Sequence, residues 1–273
     1  MIDLELLEIH AAHGCNLTCD SCSHYSNQGH VGLLTTESAD KQMALWSKRL
    51  NPKSFSILGG EPLLNNEIES ILKVARKHWK NEIQLISNGF LLDRFPNLPK
   101  TLKKQNIKLI VSRHHNSPEY NAKVFEIFKT FKAWKLEYGI SCEIRDSFNT
   151  WTTRYNGFGN SFLPFEDNDA RKSWKTCPAK TCRQLFEGNI YKCSPITYLQ
   201  LQKKKYSISE KWDPYLKYNP LTPTCSDAEL SAFFAAEEEP ICTMCPAQPQ
   251  SLAISSPLTP FSKKLQESKH SEL

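Results

Sequence analysis

Short apolar segments alternate with helical ones along the first half of the chain, and this alternation constrains the fold most. Five segments have strand character, at residues 4–10, 54–58, 82–86, 107–112 and 140–145. The stretches between them have helical character, over 36–50, 67–79, 98–104 and 118–138. Strands that alternate with helices at this interval predict parallel β/α units with right-handed crossovers. We therefore expect an α/β fold, an open or partial (β/α)6 TIM-like barrel, with its site at the C-terminal strand ends.

Three cysteines directly follow the first predicted strand. Cys15, Cys19 and Cys22 have the spacing C-x3-C-x2-C, so three thiolates within eight residues can converge on one small inorganic centre. No fourth cysteine follows nearby, whereas iron–sulfur clusters held wholly by protein take four thiolates. A cubane cluster bound here would therefore leave one iron open to a substrate or cofactor. A structural zinc loop with a distant fourth ligand is the alternative.

A second motif, Gly59-Gly60-Glu61-Pro62, follows the second predicted strand. Two glycines let the backbone approach a ligand closely, and the glutamate can accept hydrogen bonds from an ammonium group. Taken alone, such a segment is usually just a turn. Its position one β/α unit after the three cysteines favours a shared site.

Together the two motifs resemble those of the radical S-adenosylmethionine (SAM) superfamily. The resemblance implies that the open iron chelates SAM, that an electron from the cluster cleaves SAM to a 5′-deoxyadenosyl radical, and that the Gly-Gly-Glu-Pro segment binds the amino group of SAM. It also implies SAM contacts from polar residues at later strand ends, namely Ser87, Asn88, Ser112, Arg113 and Arg145. Each of these could equally be a capped strand end or a surface ion pair. The residue before the third cysteine, often aromatic in that family, is Ser21 here, so adenine contacts are expected from His24 or Tyr25.

More cysteines return in the last third of the chain. Cys182 and Cys193 flank Gly188, and Cys242-x2-Cys245 follows later. This arrangement resembles the twitch and SPASM domains that follow many radical SAM cores, and it implies that these four cysteines hold a second [4Fe–4S] cluster. The spacing from Cys182 to Gly188 is shorter than usual in such domains, so Cys177 could replace Cys182. A zinc ribbon made of two cysteine pairs is the alternative.

Changes in composition and periodicity along the chain predict the domain organisation. We expect a core barrel over residues 1–170, a small cysteine-rich domain over 171–250 and a loosely ordered tail over 251–273. The stretch 151–165 is aromatic and rich in glycine and asparagine, and we expect it to surround a sixth strand.

Composition limits the partners and the compartment. Ten cysteines without a secretory signal favour reduced thiols that bind metal, and they predict a cytoplasmic protein. The formal net charge of +5 is too small and diffuse to indicate nucleic-acid binding. No apolar run reaches the length of a transmembrane helix, so we expect no membrane partner.

The resemblance implies an enzyme that cleaves SAM and abstracts a carbon-bound hydrogen from a small polar substrate, such as a sugar, amino sugar or aminocyclitol. Epimerisation or alcohol oxidation would follow, with flavodoxin or ferredoxin as the expected electron donor. Arg145 and Cys225 are candidate catalytic residues, Cys225 as the thiol that returns a hydrogen atom in an epimerase. Maturation of a ribosomal peptide ranks second, because the sequence shows no extra N-terminal domain of the kind that captures leader peptides. A non-enzymatic metal-bearing scaffold is the third interpretation.

Overall fold

One seven-stranded sheet organises the protein, for which a computed structural model describes residues 1–249, 252 and 254–270. The strand order is β5-β4-β3-β2-β1-β6-β7. All neighbours are parallel except β7, which pairs antiparallel with β6. The strands are β1 Ile2–Ala12, β2 Leu50–Gly59, β3 Glu82–Ser87, β4 Lys108–Arg113, β5 Cys142–Asp146, β6 Arg183–Phe186 and β7 Asn189–Tyr191.

Helices connect the parallel strands as the alternation predicts. The described residues contain α1 Thr36–Trp46, α2 Ile68–His78, α3 Leu98–Gln105, α4 Pro118–Tyr138, α5 Ala170–Thr176, α6 Ser194–Lys205, α7 Asp213–Leu216, α8 Asp227–Ala235 and α9 Phe261–His270. The longest, α4, begins where Ser117 caps it and Pro118 fills its first turn, and it ends at Gly139 in the left-handed conformation. No helix among the described residues is long and apolar enough to cross a membrane.

Strand β1 separates two chemically different faces of the sheet. Leu7, Ile9 and Ala11 are buried in the main apolar core together with side chains of the surrounding helices. The alternate residues Glu8 and His10 point to the other face, because successive side chains of a strand alternate. The inner face of the sheet is therefore polar at its centre.

The sequence predicts the α/β fold and the first five strands correctly, but two details differ. Helix α1 ends at Trp46 and not near residue 50, because the Arg49 carbonyl already accepts a hydrogen bond from the Ile2 amide and β2 begins at Leu50. The expected sixth strand within 151–165 is absent from the described residues, where the backbone forms isolated bridges such as the one between Asn156 and Leu163. The sixth parallel strand is β6, which lies beside β1 and not beside β5.

A second apolar core lies beneath the C-terminal half of the chain. It includes Tyr25 from the cysteine loop together with Tyr155, Phe162, Tyr198 and Trp212. The division into domains at residue 170 stays a prediction, and β6 of the C-terminal half joins the same sheet as β1. The expected tail 251–273 lies partly outside the described residues. Its described part is not loose, because Thr18 of the cysteine loop donates hydrogen bonds to the carbonyls of Pro257 and Thr259.

Candidate active site

The three N-terminal cysteines lie in a loop at the C-terminal end of β1. The loop reverses at Ser21 and Tyr25, both in the left-handed region that non-glycine residues seldom adopt. The Leu17 amide donates to the sulfur of Cys15 at 3.3 Å, and the backbone amides of residues 24–27 surround the sulfur of Cys22. Such amide donors favour sulfur that carries negative charge, as it does when it binds a metal.

All three thiols are enclosed. Burial raises the pKa of Cys15, Cys19 and Cys22, and for Cys15 and Cys19 the charges of neighbouring acidic groups raise the pKa further. Three thiolates could share this space only with a cation among them. No three His, Cys, Asp or Glu side chains within the described residues stand close enough around one point to hold a single metal ion. A four-iron cluster is larger than one ion, and the donor set of three sulfurs fits such a group.

The three thiols line one cavity of about 230 Å³ at the C-terminal ends of the strands. Polar strand ends from across the sheet complete its wall, as expected for a parallel β/α fold. Of the predicted site residues, the cavity is lined by Cys15, Cys19, Cys22, Gly59, Gly60, Ser87, Asn88, Ser112 and Arg145. The structure therefore brings most of the predicted first site together.

Neighbouring backbone atoms leave no room for a side chain at Gly59 or Gly60. A Cβ atom at Gly59 would lie 2.2 Å from the Ala12 carbonyl oxygen, and one at Gly60 would lie 1.9 Å from that of Gly14. The amides of Gly60 and Glu61 donate to these two carbonyls at 2.9 Å, so the segment continues the pairing of β1 with β2. The glycines therefore fix the entry to the cysteine loop, in addition to lining the cavity.

Glu61 corrects an expectation, because its carboxylate does not face the cavity. It is fully buried and accepts hydrogen bonds from the Leu63 amide, the Ser87 hydroxyl and the Asn88 amide. Burial raises its pKa to about 7 against these three hydrogen bonds, which lower it. Through these hydrogen bonds Glu61 connects the end of β2 to the end of β3. Pro62 is buried beside Glu61 and also lies outside the cavity lining.

Asn88 lies between Glu61 and the cysteine loop. Its side-chain nitrogen donates to the Asn16 side chain at 2.7 Å and lies 3.7 Å from the sulfur of Cys15. Its oxygen accepts from the Phe90 amide, which fixes the orientation of the side chain. Asn88 is therefore held at the cavity wall beside the first thiol.

Two predicted SAM contacts do not reach the cavity. Tyr25 is buried in the second core, where its ring packs edge-on against Tyr155 and Phe162. Arg113 forms an ion pair with Asp146 at 3.1 Å and lies over the ring of Phe148. His24, the other residue considered for adenine, does line the cavity.

Polar residues of β1 contribute to the site without having been predicted from the sequence. Glu8 lines the cavity, and His10 lies beside it on the same face of the strand, where its Nε2 is 2.5 Å from Nδ1 of His24. The ring of Tyr198 stacks on His10 with centroids 3.8 Å apart. A signal existed, because these two polar residues alternate with Leu7, Ile9 and Ala11 in an otherwise apolar strand.

Four C-terminal cysteines line a second cavity. Cys177, Cys193, Cys242 and Cys245 line this cavity of about 30 Å³, together with the basic side chains of Arg183 and Lys192. Lys192 is 3% exposed and forms an ion pair with Glu239 at 3.0 Å. Buried positive charges beside four thiols fit a group that carries negative charge. Cys182, the expected ligand, lies outside the lining, whereas Cys177, the alternative, lies within it.

Cys225 lines neither cavity and lies far from the first one. Its sulfur accepts a hydrogen bond from Arg49, which directly precedes the first residue of β2. The ten residues of β2 separate this point from Gly59 at the first cavity, a distance of roughly 30 Å along the strand. The expectation that Cys225 donates hydrogen to a substrate is wrong, because the thiol lies near the N-terminal end of β2, whereas the first cavity lies at the C-terminal ends of the strands.

An open groove of about 360 Å³ lies between the two cavities. It shares Ser23, Arg145 and Trp151 with the first cavity and Ala179 with the second, and it also contains Arg154. The Trp151 indole donates to the carbonyl of Asp20, so the groove wall is attached to the cysteine loop. A ligand in this groove would contact the outer part of the first cavity and lie beside the second.

Comparison with known proteins identifies the N-terminal part. Residues 9–134 match the sequence model of the radical SAM superfamily. This chain carries a radical SAM domain. The family binds a [4Fe–4S] cluster and SAM. Cys15, Cys19 and Cys22, which line the first cavity, lie within the matched residues.

Known relatives cover only part of the chain. The chain is 30% identical over 163 residues to the GTP 3′,8-cyclase of Aquifex aeolicus (strain VF5), and these residues are 54% of this chain and 49% of that protein. The probable GTP 3′,8-cyclase of Methanocaldococcus jannaschii is 28% identical over 123 residues, or 45% of this chain and 40% of that protein. The chain thus spans half or less of the length of these relatives. Among solved structures, native anSMEcpe with bound AdoMet and Cp18Cys peptide aligns with a TM-score of 0.41 and 23% identity, covering 52% of this chain and 42% of that one.

Proposed function

We propose that this radical SAM protein cleaves SAM reductively and removes a carbon-bound hydrogen from a small polar substrate. The observation that carries the proposal is the single cavity lined by Cys15, Cys19, Cys22, Gly60 and Asn88 at the strand ends. The three thiols would hold the cluster, and Gly60 and Asn88 would contact SAM beside it. A [4Fe–4S] cluster bound there would supply the electron for the reductive cleavage of SAM.

The residues of this chain would position SAM and the substrate and exclude water from them. The hydrogen bonds to Glu61 hold Ser87 and Asn88 beside the cysteine loop. The hydrogen bond from Trp151 attaches the groove wall to the same loop. The inner face beneath the cavity is polar, with Ser56, Gln84 and Gln184 close to Glu8 in the sheet register. A polar substrate would exchange its water for these groups, which an apolar one could not do.

We propose oxidation of the substrate, in preference to epimerisation, as the outcome. A substrate that has lost a hydrogen atom can lose one further electron and one proton, which together oxidise an alcohol to a ketone. Cys177, Cys193, Cys242 and Cys245 would hold the electron acceptor beside the groove, as a second [4Fe–4S] cluster. Epimerisation needs a thiol near the substrate, and Cys225 is not there. Flavodoxin or ferredoxin is the proposed donor of the electron for SAM cleavage.

Cyclisation of a nucleotide is a second candidate. The curated relatives are GTP 3′,8-cyclases, and two arginines, Arg145 and Arg154, line the groove. Guanidinium groups bind phosphates well, so GTP belongs among the substrates to be tested. Peptide maturation stays a prediction.

The test is formation of 5′-deoxyadenosine by the anaerobically reconstituted protein with dithionite and SAM. The wild type should form it, and the variant with Cys15, Cys19 and Cys22 all changed to Ala should not. Cys225→Ala is the matched control, because it removes a thiol outside both cavities, and it should retain cleavage. Tightly bound zinc in place of iron, with no cleavage of SAM, would favour the metal-bearing scaffold and refute the proposal.

A further inference from the structure

Glu8 is a buried carboxylate that lines the first cavity from the inside of the sheet. It lies four positions before the end of β1, about 13 Å along the strand from the start of the cysteine loop. Glu8 is 6% exposed. Its partners in the sheet register are Ser56 on β2 and Gln184 on β6. Glu8 therefore belongs to the deep end of the cavity, whereas the three thiols form the outer end.

The contacts of Glu8 leave its charge unbalanced. One carboxylate oxygen accepts a hydrogen bond from the side-chain nitrogen of Gln184. Gln184 cannot turn away, because the Tyr198 hydroxyl donates to its oxygen at 3.0 Å and its nitrogen also donates to the Cys182 carbonyl at 3.1 Å. Glu8 forms no ion pair with any residue that the structure describes, although Arg145 lines the same cavity.

A buried carboxylate without a positive partner is costly, because burial disfavours its charged form. Burial raises the pKa of Glu8 to about 7, and the Gln184 hydrogen bond and the charge of Arg145 act in the opposite direction. A protonated amine placed in the cavity would supply the missing partner and form a charge-assisted hydrogen bond. A neutral hydroxyl in the same position would leave the charge unbalanced.

We propose that Glu8 binds a protonated amino group of the substrate, so that the substrate is a small polar amine such as an amino sugar or aminocyclitol. This inference rests on the proposed function, since it assigns the substrate class of the same cavity. The geometry that carries it is a carboxylate at least nine-tenths buried, held in place by one fixed amide and directed into the cavity beneath the thiols.

The test compares binding of matched probes that differ in one group. D-glucosamine is paired with D-glucose, and scyllo-inosamine with scyllo-inositol, each titrated calorimetrically into the SAM-loaded holoprotein under anaerobic conditions. We expect at least one amine to bind about tenfold more tightly than its hydroxyl partner, the size of a charge-assisted hydrogen bond. Equal binding within every pair would overturn the proposal.

Variants separate Glu8 from general effects. Glu8→Gln should remove the preference for the amine in a protein that stays folded and retains its iron, and Glu8→Asp, which keeps the charge, should retain part of the preference. Glu5→Gln is the matched control, because it neutralises an exposed carboxylate on the same strand β1 that is paired with Lys53 outside the cavity, and it should change nothing. An amine preference that persists in folded Glu8→Gln would refute the role of Glu8. Failure of the wild type to cleave SAM would refute the proposed function instead, because probe binding is measured independently.

Discussion

At the scale of single residues, Glu61 shows how a motif can be recognised correctly while its physical role differs. The sequence presents it as a ligand for an ammonium group, yet its carboxylate accepts three hydrogen bonds from the protein itself. Two of these donors belong to Ser87 and Asn88, which line the cavity. Glu61 is therefore a positioning residue that holds the cavity wall, and its removal should affect stability.

We predict that Glu61→Gln lowers the free energy of unfolding of the apoprotein by about 1–3 kcal/mol, the cost of a buried donor left without an acceptor. The amide nitrogen of glutamine would have to face one of the three donors. Urea denaturation of the reduced apoprotein measures the change. Glu67→Gln is the control, because Glu67 accepts its hydrogen bonds from Thr36 at the protein surface, and it should lose less stability. A Glu61→Gln protein as stable as the wild type would show that the carboxyl group is already protonated.

At the scale of elements, the described end of the chain fastens the cysteine loop. Lys264 of α9 donates to the Thr18 carbonyl and forms an ion pair with Asp20, both at 2.5 Å. Thr18 and Asp20 flank Cys19, and the side chain of Lys264 is 9% exposed. This buried cation holds the loop from outside the cavity.

We predict that Lys264→Met accelerates the loss of iron from the reconstituted protein in air by about tenfold. The methionine leaves Asp20 without its partner, and a loss of roughly 1.4 kcal/mol in the closed loop corresponds to that factor. Absorbance of the cluster followed over time measures the rate. Lys263→Met, at the exposed neighbouring position, should behave as the wild type. Equal rates for the two variants would show that this contact does not protect the cluster.

The elements also show what a sequence can predict. Strands β1 to β5 follow from local patterns, because an apolar run and the capped helix after it are read from adjacent residues. The pairing of β6 with β1 is not local, since 170 residues separate Ala12 from Arg183, and no pattern in either strand specifies its partner. The contacts of Lys264 with the cysteine loop are missed for the same reason. The polar pair Glu8 and His10 was available in the sequence, because polar residues alternate with apolar ones there.

At the scale of the whole molecule, two thiol-lined cavities lie on either side of one groove. The first belongs to the radical SAM domain and the second to the C-terminal part, and Arg145 and Ala179 mark the two borders of the groove between them. Sequence spacing alone left Cys177 and Cys182 as competing ligands of a second cluster. The structure favours Cys177, which ends α5 at the cavity, whereas Cys182 directly precedes β6 and lies outside the lining.

We predict that Cys177→Ala lowers the iron content from about eight to about four per chain, because one of four thiolates of the second cluster is lost. Cys182→Ala is the matched control and should keep about eight, since its thiol does not line the cavity. Both variants should still form 5′-deoxyadenosine, because Cys15, Cys19 and Cys22 are intact in each. Iron analysis and SAM cleavage are measured on the same anaerobically reconstituted samples. Loss of iron from Cys182→Ala with full iron in Cys177→Ala would reverse the assignment, and it would mean that the segment before β6 rearranges around the cluster.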